Sequence, residues 1–175
     1  MYALLDALEG INKFVNMGGP ILLVIAALLL VLWTLLFERI WYFKTTLQKD
    51  VQGALDTWEA RAERTSTRAH HVREALISRV AVKVEESLPM IKTLVAMAPL
   101  LGLLGTVTGM IKVFEILAIT GGGDAKSMAG GVSQATIPTM AGMVAAISGV
   151  FGNTYVTRIA EREKQLLEDH LTMDH

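Results

Sequence analysis

The chain has 175 residues, 52% of them hydrophobic, and a mean hydropathy of +0.44, more apolar surface than a soluble domain of this length needs. With 16 basic and 17 acidic residues the formal net charge is -1, and no basic stripe stands out from the interleaved acids, so no nucleic-acid partner is expected. The absence of cysteine agrees with any compartment.

The charges are segregated. Three windows, Phe14 to Phe37 (24 residues), Thr93 to Ile111 (19 residues) and Ser127 to Thr157 (31 residues), contain no Asp, Glu, Lys or Arg. Even the shortest, at about 1.5 Å of rise per residue, reaches about 28 Å, close to the thickness of a hydrocarbon core. The pattern predicts an all-α integral membrane protein with three transmembrane helices.

Residues 1–18 form a segment ahead of the first span, which covers 19–37 and opens at Gly18-Gly19-Pro20, with proline in a first turn where its missing N–H costs nothing. The apolar core is too long for a secretory signal and lacks a small-residue cleavage site after it, so a retained span is expected. Its bulky Leu22, Leu23, Leu28, Leu29, Leu30 and Leu32 suit an outer, lipid-facing helix, and Trp41 and Tyr42 suit a headgroup region.

Residues 38–92 are charged but periodic. Leu47, Val51, Leu55 and Trp58, and then Leu76, Val80, Val84 and Leu88, recur at spacings of three and four, one helix face in each case. Spans one and two are therefore expected to extend into a helical hairpin that turns near Thr65-Ser66-Thr67, with Pro89 and Pro99 bending the return path. His70 and His71 point about 100° apart on a helix, a poor metal pair, and no metal site is expected.

The second span, 93–117, carries Gly102, Gly105 and Gly109 on a small-residue seam, and Thr106 and Thr108 offer hydroxyls at membrane depth. Lys112 and Glu115, three apart, are expected to pair near its boundary. The connection 118–131 contains Thr120-Gly121-Gly122-Gly123-Asp124-Ala125-Lys126-Ser127, which lacks the glycine a phosphate loop needs before Lys-Ser; a flexible turn is the expectation.

The third span, 132–155, repeats the small-residue signal at Gly142 with Ala146 and at Ala145 with Gly149. Pro138 removes an N–H and frees the carbonyl of Gln134, and Ser133, Gln134, Thr136 and Thr139 make a polar stripe. Broken backbone at this depth survives where protein or water satisfies it, so a kink beside a hydrated pathway competes with simple packing. Thr106 and Thr139 fall at heights that agree within about one helical turn, although each hydroxyl could instead bond its own helix. Residues 156–175 form the tail.

No carboxylate, His or Lys lies deep in any span, so the chain alone has no titratable group to relay a proton across a bilayer centre. The segments 38–92 and the tail together hold thirteen basic residues, against three in the other two segments, which places the tail in the cytoplasm and the N-terminus outside. Nothing resembles a nucleophile with its base, so no enzyme activity and no cofactor are expected.

The run Ala98-Pro99-Leu100-Leu101-Gly102-Leu103-Leu104-Gly105-Thr106-Val107-Thr108-Gly109-Met110, the run Thr139 to Ile147, and the order of long helix, charged loop and two close helices resemble the ExbB/TolQ/MotA proton-channel family. The short tail and compact size are most similar to small ExbB proteins of accessory TonB systems. The resemblance implies an inner-membrane ring, a pentamer in ExbB, whose second and third helices surround a pore holding the helices of an ExbD-like single-span partner. That partner brings the protonatable aspartate, and the proton motive force moves a TonB-like protein that energises outer-membrane uptake of iron-siderophores, haem or cobalamin. By motif position Thr106 and Thr139 match the family's pore-facing threonines, whereas Gln134 stands where many members have glutamate. A TolQ-like role in outer-membrane integrity and division stays open, as does a passive oligomeric scaffold; MotA-type stators carry four spans.

Overall fold

The computed structural model describes residues 2–64, 66–121 and 125–171. They form five helices: α1 (Tyr2–Thr45), α2 (Leu47–Glu59), α3 (Thr67–Glu85), α4 (Leu88–Thr120) and α5 (Ala125–His170). Stretches Gly18–Thr45, Thr67–Ile119 and Met128–His170 are each long and apolar enough to cross a membrane.

Gly19 interrupts α1 with φ 70 and ψ -172, a backbone conformation that side chains with a β-carbon rarely adopt. Pro20 follows at the start of the next helical stretch. The α4 helix stops at Gly121, whose φ of 66 turns the chain while its N–H caps the carbonyl of Leu117 at 3.0 Å. Ser66 starts α3 by accepting the N–H of Ala69 at 3.3 Å.

Several expectations are corrected. Pro89 sits in the first turn of α4, and the chain changes helix just before it, at Glu86 and Ser87. Pro99 lies inside α4, whose backbone stays helical through it. The helices themselves extend beyond the expected spans 93–117 and 132–155, α4 reaching Thr120 and α5 starting at Ala125. Among the described residues Lys112 and Glu115 are exposed and form no ion pair with each other. Thr65 of the expected turn and Gly122-Gly123-Asp124 of the glycine-rich connection lie outside the described residues.

The chain divides into two compact units. The first comprises Met1–Trp33 and Thr93–Val150. Its core joins Ile25 and Leu28 of α1, Ala98 of α4 and Ala145 of α5, with Ala146 packed alongside. The first span is thus not wholly lipid-facing: Leu22, Leu28 and Leu32 are buried while Leu23 and Leu30, on the opposite face, are exposed.

The second unit comprises Thr34–Lys92 and Phe151–His175. Here α2 packs on α3, burying Leu47 and Trp58 from one periodic face and Leu76, Val80 and Val84 from the other. Asp50 accepts from Lys83 at 2.7 Å and from the Tyr42 hydroxyl at 2.8 Å. The Lys83 ammonium, and secondarily the Tyr42 hydroxyl, hold the Asp50 carboxyl below its usual range.

Candidate functional site: a hydroxyl pair on a glycine seam

Spacings of three and four place Gly102, Gly105 and Gly109 on one side of α4, and the missing side chains let the α5 backbone approach. A β-carbon at Gly109 would lie 2.5 Å from the Ala135 α-carbon, and one at Gly105 would lie 2.4 Å from the Pro138 β-carbon. The seam is reciprocal: a β-carbon on Gly142 of α5 would lie 2.6 Å from the Ala98 carbonyl oxygen. Gly149 packs against side chains instead, 2.7 Å from Val95 and 2.8 Å from Leu32 by the same measure. Pro138 is fully buried on this seam, and α5 stays helical through it.

The seam brings two hydroxyls together. Thr139 Oγ1 donates across the helices to the carbonyl oxygen of Gly102 at 2.9 Å, and Thr106 Oγ1 hydrogen-bonds to Thr139 Oγ1. Either hydroxyl can donate in the bond between the two threonines. The result is a hydrogen-bonded chain that links Thr106, Thr139 and the Gly102 carbonyl across the seam. Both threonines are half-buried, so the chain begins at an accessible edge.

The other hydroxyls behave differently. Thr108 donates to the carbonyls of Leu104 and Gly105 in its own helix at 3.0 and 3.1 Å, and Thr136 to those of Val132 and Ser133, each at 3.2 Å. These are the helix-internal bonds that a threonine makes in lipid. Thr106 retains only a long one, 3.5 Å, to Gly102.

The structure does not bring Gln134 to the threonine pair. Its amide lies against the α1 break, where a β-carbon on Gly19 would be 2.9 Å from Gln134 Nε2. A cavity of about 80 Å³ opens there, bounded by Gly19, Pro20, Thr108, Lys112 and Gln134. His70 and His71 are also apart from the pair; both approach the Glu74 carboxylate, at 3.3 and 3.7 Å. Among the described residues no three His, Cys, Asp or Glu side chains cluster as a metal site would require.

Two arginines that sequence reasoning passed over hold helix ends in the second unit. Arg39, 3% exposed, donates to the Lys83 carbonyl at 2.6 Å and to Ser87 Oγ at 2.8 Å, satisfying groups left open where α3 gives way to α4. Its signal was present: Leu32, Leu36, Arg39 and Phe43 recur at four, three and four, so arginine occupies a core position of an apolar stripe. Arg73 does the same for the end of α5, donating to the carbonyls of Glu168 and Leu171.

Residues 41–169 match the MotA/TolQ/ExbB proton channel family. The chain belongs to this family. As a MotA/TolQ/ExbB protein it is similar to the putative biopolymer transport protein ExbB-like 1 of Synechocystis, 32% identical over 74% of this chain and 64% of the relative. It is similar to the Tol-Pal system protein TolQ of Pseudomonas aeruginosa, 34% identical over 55% of this chain and 40% of the relative. It is likewise similar to the biopolymer transport protein ExbB of Xanthomonas campestris, 31% identical over 53% of this chain and 38% of the relative. The chain spans less than two thirds of the length of these relatives. Three long apolar helices and this membership make it a membrane protein.

Proposed function

We propose that this chain is the channel-wall subunit of an inner-membrane energiser of the ExbB–ExbD–TonB kind. It uses the proton motive force to drive outer-membrane uptake of iron-siderophores, haem or cobalamin. The observation that carries the reading is the Thr106–Thr139–Gly102 hydrogen-bond chain, set across the α4–α5 seam in windows free of charged residues. Two hydroxyls can accept and pass on a proton in a file with water without carrying charge themselves, but they cannot titrate.

The titrating group is then an aspartate on a single-span, ExbD-like partner, and a TonB-like protein receives the motion. The chain self-associates into a ring, a pentamer, with α4 and α5 inward; the lipid bilayer surrounds it. The thirteen-to-three split of basic residues supports a periplasmic N-terminus and a cytoplasmic tail. The chain transports and is no enzyme.

A second reading rests on the similarity to TolQ, which extends over 55% of the chain at 34% identity. Deleting the gene separates the two. Loss of growth on ferric siderophore with normal detergent resistance is the expected result; detergent sensitivity with normal iron uptake assigns the chain to a TolQ-like role. Thr106→Val and Thr139→Val, restored to the deletion strain, are expected to assemble with the partner yet fail to support growth. Full growth in both leaves only a packing scaffold.

A further inference from the structure

Helix α5 carries one threonine whose hydroxyl is left over. Thr157 Oγ1 is buried and makes no hydrogen bond among the described residues. A threonine inside a helix ordinarily satisfies itself on the carbonyl four residues back, as Thr45, Thr57, Thr108 and Thr136 do. Thr157 forgoes that bond and lines a cavity of about 370 Å³. The space would take on the order of ten water molecules, far more than one hydroxyl holds in place.

The walls belong wholly to the second unit: Glu85 at the end of α3, Leu88 and Lys92 at the start of α4, and Ala160 and Glu161 beside Thr157 on α5. Their charges are of both signs. Glu85 accepts from Lys164 at 3.3 Å, whereas Lys92 and Glu161, both exposed, form no ion pair among the described residues. The cavity therefore offers a donor set, the Lys92 ammonium with the Thr157 hydroxyl, and a separate acceptor, the Glu161 carboxylate. A ligand that answers both carries an anion and an N–H cation on one short molecule. A purely anionic ligand would meet the Glu161 charge with nothing to offer it, and a simple cation would leave Lys92 and Thr157 unanswered.

Depth names the source of such a ligand. The charge-free windows all end at this level: Glu38 follows Phe37, Lys92 precedes Thr93, and Arg158 follows Thr157. The fold of the unit brings these boundaries within about two helical turns of one another, since Arg39 donates to Ser87 Oγ just ahead of α4, and Lys92 and Thr157 share the cavity. Trp41, 73% exposed, stands at the same boundary, the place of an interfacial aromatic. The cavity thus lies where lipid headgroups lie.

We infer that Lys92, Thr157 and Glu161 seat the headgroup of a phosphatidylethanolamine-type lipid, its phosphate on Lys92 Nζ and Thr157 Oγ1 and its ammonium on the Glu161 carboxylate. An ethanolamine ammonium has three N–H donors, a choline headgroup has none, and a glycerol headgroup brings no positive charge, so the site selects among phospholipids. The bound headgroup ties the start of α4 to α5. The inference requires only that the chain spans a bilayer, and it stands or falls separately from the channel reading.

The test is native mass spectrometry of the full-length chain, reconstituted in vesicles of equal parts phosphatidylethanolamine, phosphatidylglycerol and phosphatidylcholine and re-extracted in mild detergent. Retention of phosphatidylethanolamine about tenfold above either other lipid is expected, and Lys92→Gln with Thr157→Val is expected to cut it by about tenfold. Thr157→Ser keeps the hydroxyl and should keep the lipid. Glu161→Gln should erase the preference for phosphatidylethanolamine over phosphatidylglycerol, a change that a merely structural role would not produce. Lys49→Gln, an exposed lysine of α2 that does not line the cavity, should change nothing. Equal retention of the three lipids, or a loss in Lys49→Gln as large as in the double variant, overturns the site.

Thermal unfolding in detergent supplies the second readout. Added phosphatidylethanolamine is expected to raise the melting temperature of the native chain and not that of the double variant. An equal rise with free phosphoethanolamine overturns the lipid as the source. The native chain has no cysteine, so disulfide cross-linking of Glu161→Cys between two copies, with no lipid retained, would show a second copy in the cavity and also overturn the assignment.

Discussion

In the unit formed by Met1–Trp33 and Thr93–Val150, α4 and α5 meet where side chains are smallest; in the unit formed by Thr34–Lys92 and Phe151–His175 the helices meet through large side chains. Gly102, Gly105, Gly109 and Gly142 let backbones touch in the first, while Trp58, Leu47, Leu167 and Leu171 are fully buried in the second. The difference follows from solvent. Lipid offers no hydrophobic drive to join helices, so close van der Waals contact and hydrogen bonds across the seam must do it. Water rewards burial of large apolar groups, and there arginine and lysine can remain at the edges to cap helices and pair with acids.

The sharpest way to break this comparison is to add a side chain on the seam. Gly109→Val is expected to destabilise the fold by about 3 kcal/mol or more, because its β-carbon meets the Ala135 backbone, which cannot yield as a flexible side chain would. Gly130→Ala, with nothing within 4 Å of the added carbon, should leave the melting temperature in detergent unchanged. Equal melting temperatures for the two variants would remove the seam as a source of stability.

Arg39→Leu tests the other unit. It strips donors from the Lys83 carbonyl and Ser87, and about 2 kcal/mol of stability is the expected loss in denaturant unfolding. A loss as small as that of an exposed arginine substitution would mean that the α3–α4 junction needs no cap.

Hydroxyl removal at the seam should cost less in stability than either. Thr139→Val leaves the Gly102 carbonyl without its cross-helix donor, a loss of about 1 kcal/mol, and Thr139→Ser restores the bond. A thermal shift of that size, paired with complete loss of proton-driven growth, would separate the role of Thr139 in passage from its role in packing.

The smallest effect belongs to Asp50. Its carboxyl is held below the ordinary aspartate value of 3.8, so its pair with Lys83 contributes stability that is complete above that value and is lost as pH falls through the lower folded one. The group lies near the surface, and the expected contribution is about 0.5 kcal/mol. Lys83→Met should remove most of this acid-limb dependence and lower stability at pH 7 by about the same 0.5 kcal/mol, the Tyr42 hydroxyl keeping the remainder.

Much of the fold was legible because the bilayer imposes length and charge rules on sequence. The charge-free windows located three long apolar helices, and the period of Leu76, Val80, Val84 and Leu88 named a face that is in fact buried. Helix ends were less legible. Charged residues such as Lys112 and Glu115 do not end a helix, which continues in water as readily as in lipid, so α4 runs on past them to Thr120.

For the site, sequence alone determined that the spans carry hydroxyls and small residues and no titratable group, because residue type decides what chemistry is possible at membrane depth. Tertiary structure decided which hydroxyls meet. Thr106, Thr108, Thr136 and Thr139 are equivalent by type, yet Thr106 and Thr139 join across the seam whereas Thr108 and Thr136 bond their own helices. Gln134 belongs by spacing to the same polar stripe, but the break at Gly19 gives its amide a different neighbour. Helical periodicity specifies where a residue points on its own helix; which residue stands opposite depends on the register between helices, and that register is set where Gly102, Gly105 and Gly109 admit the backbone of α5.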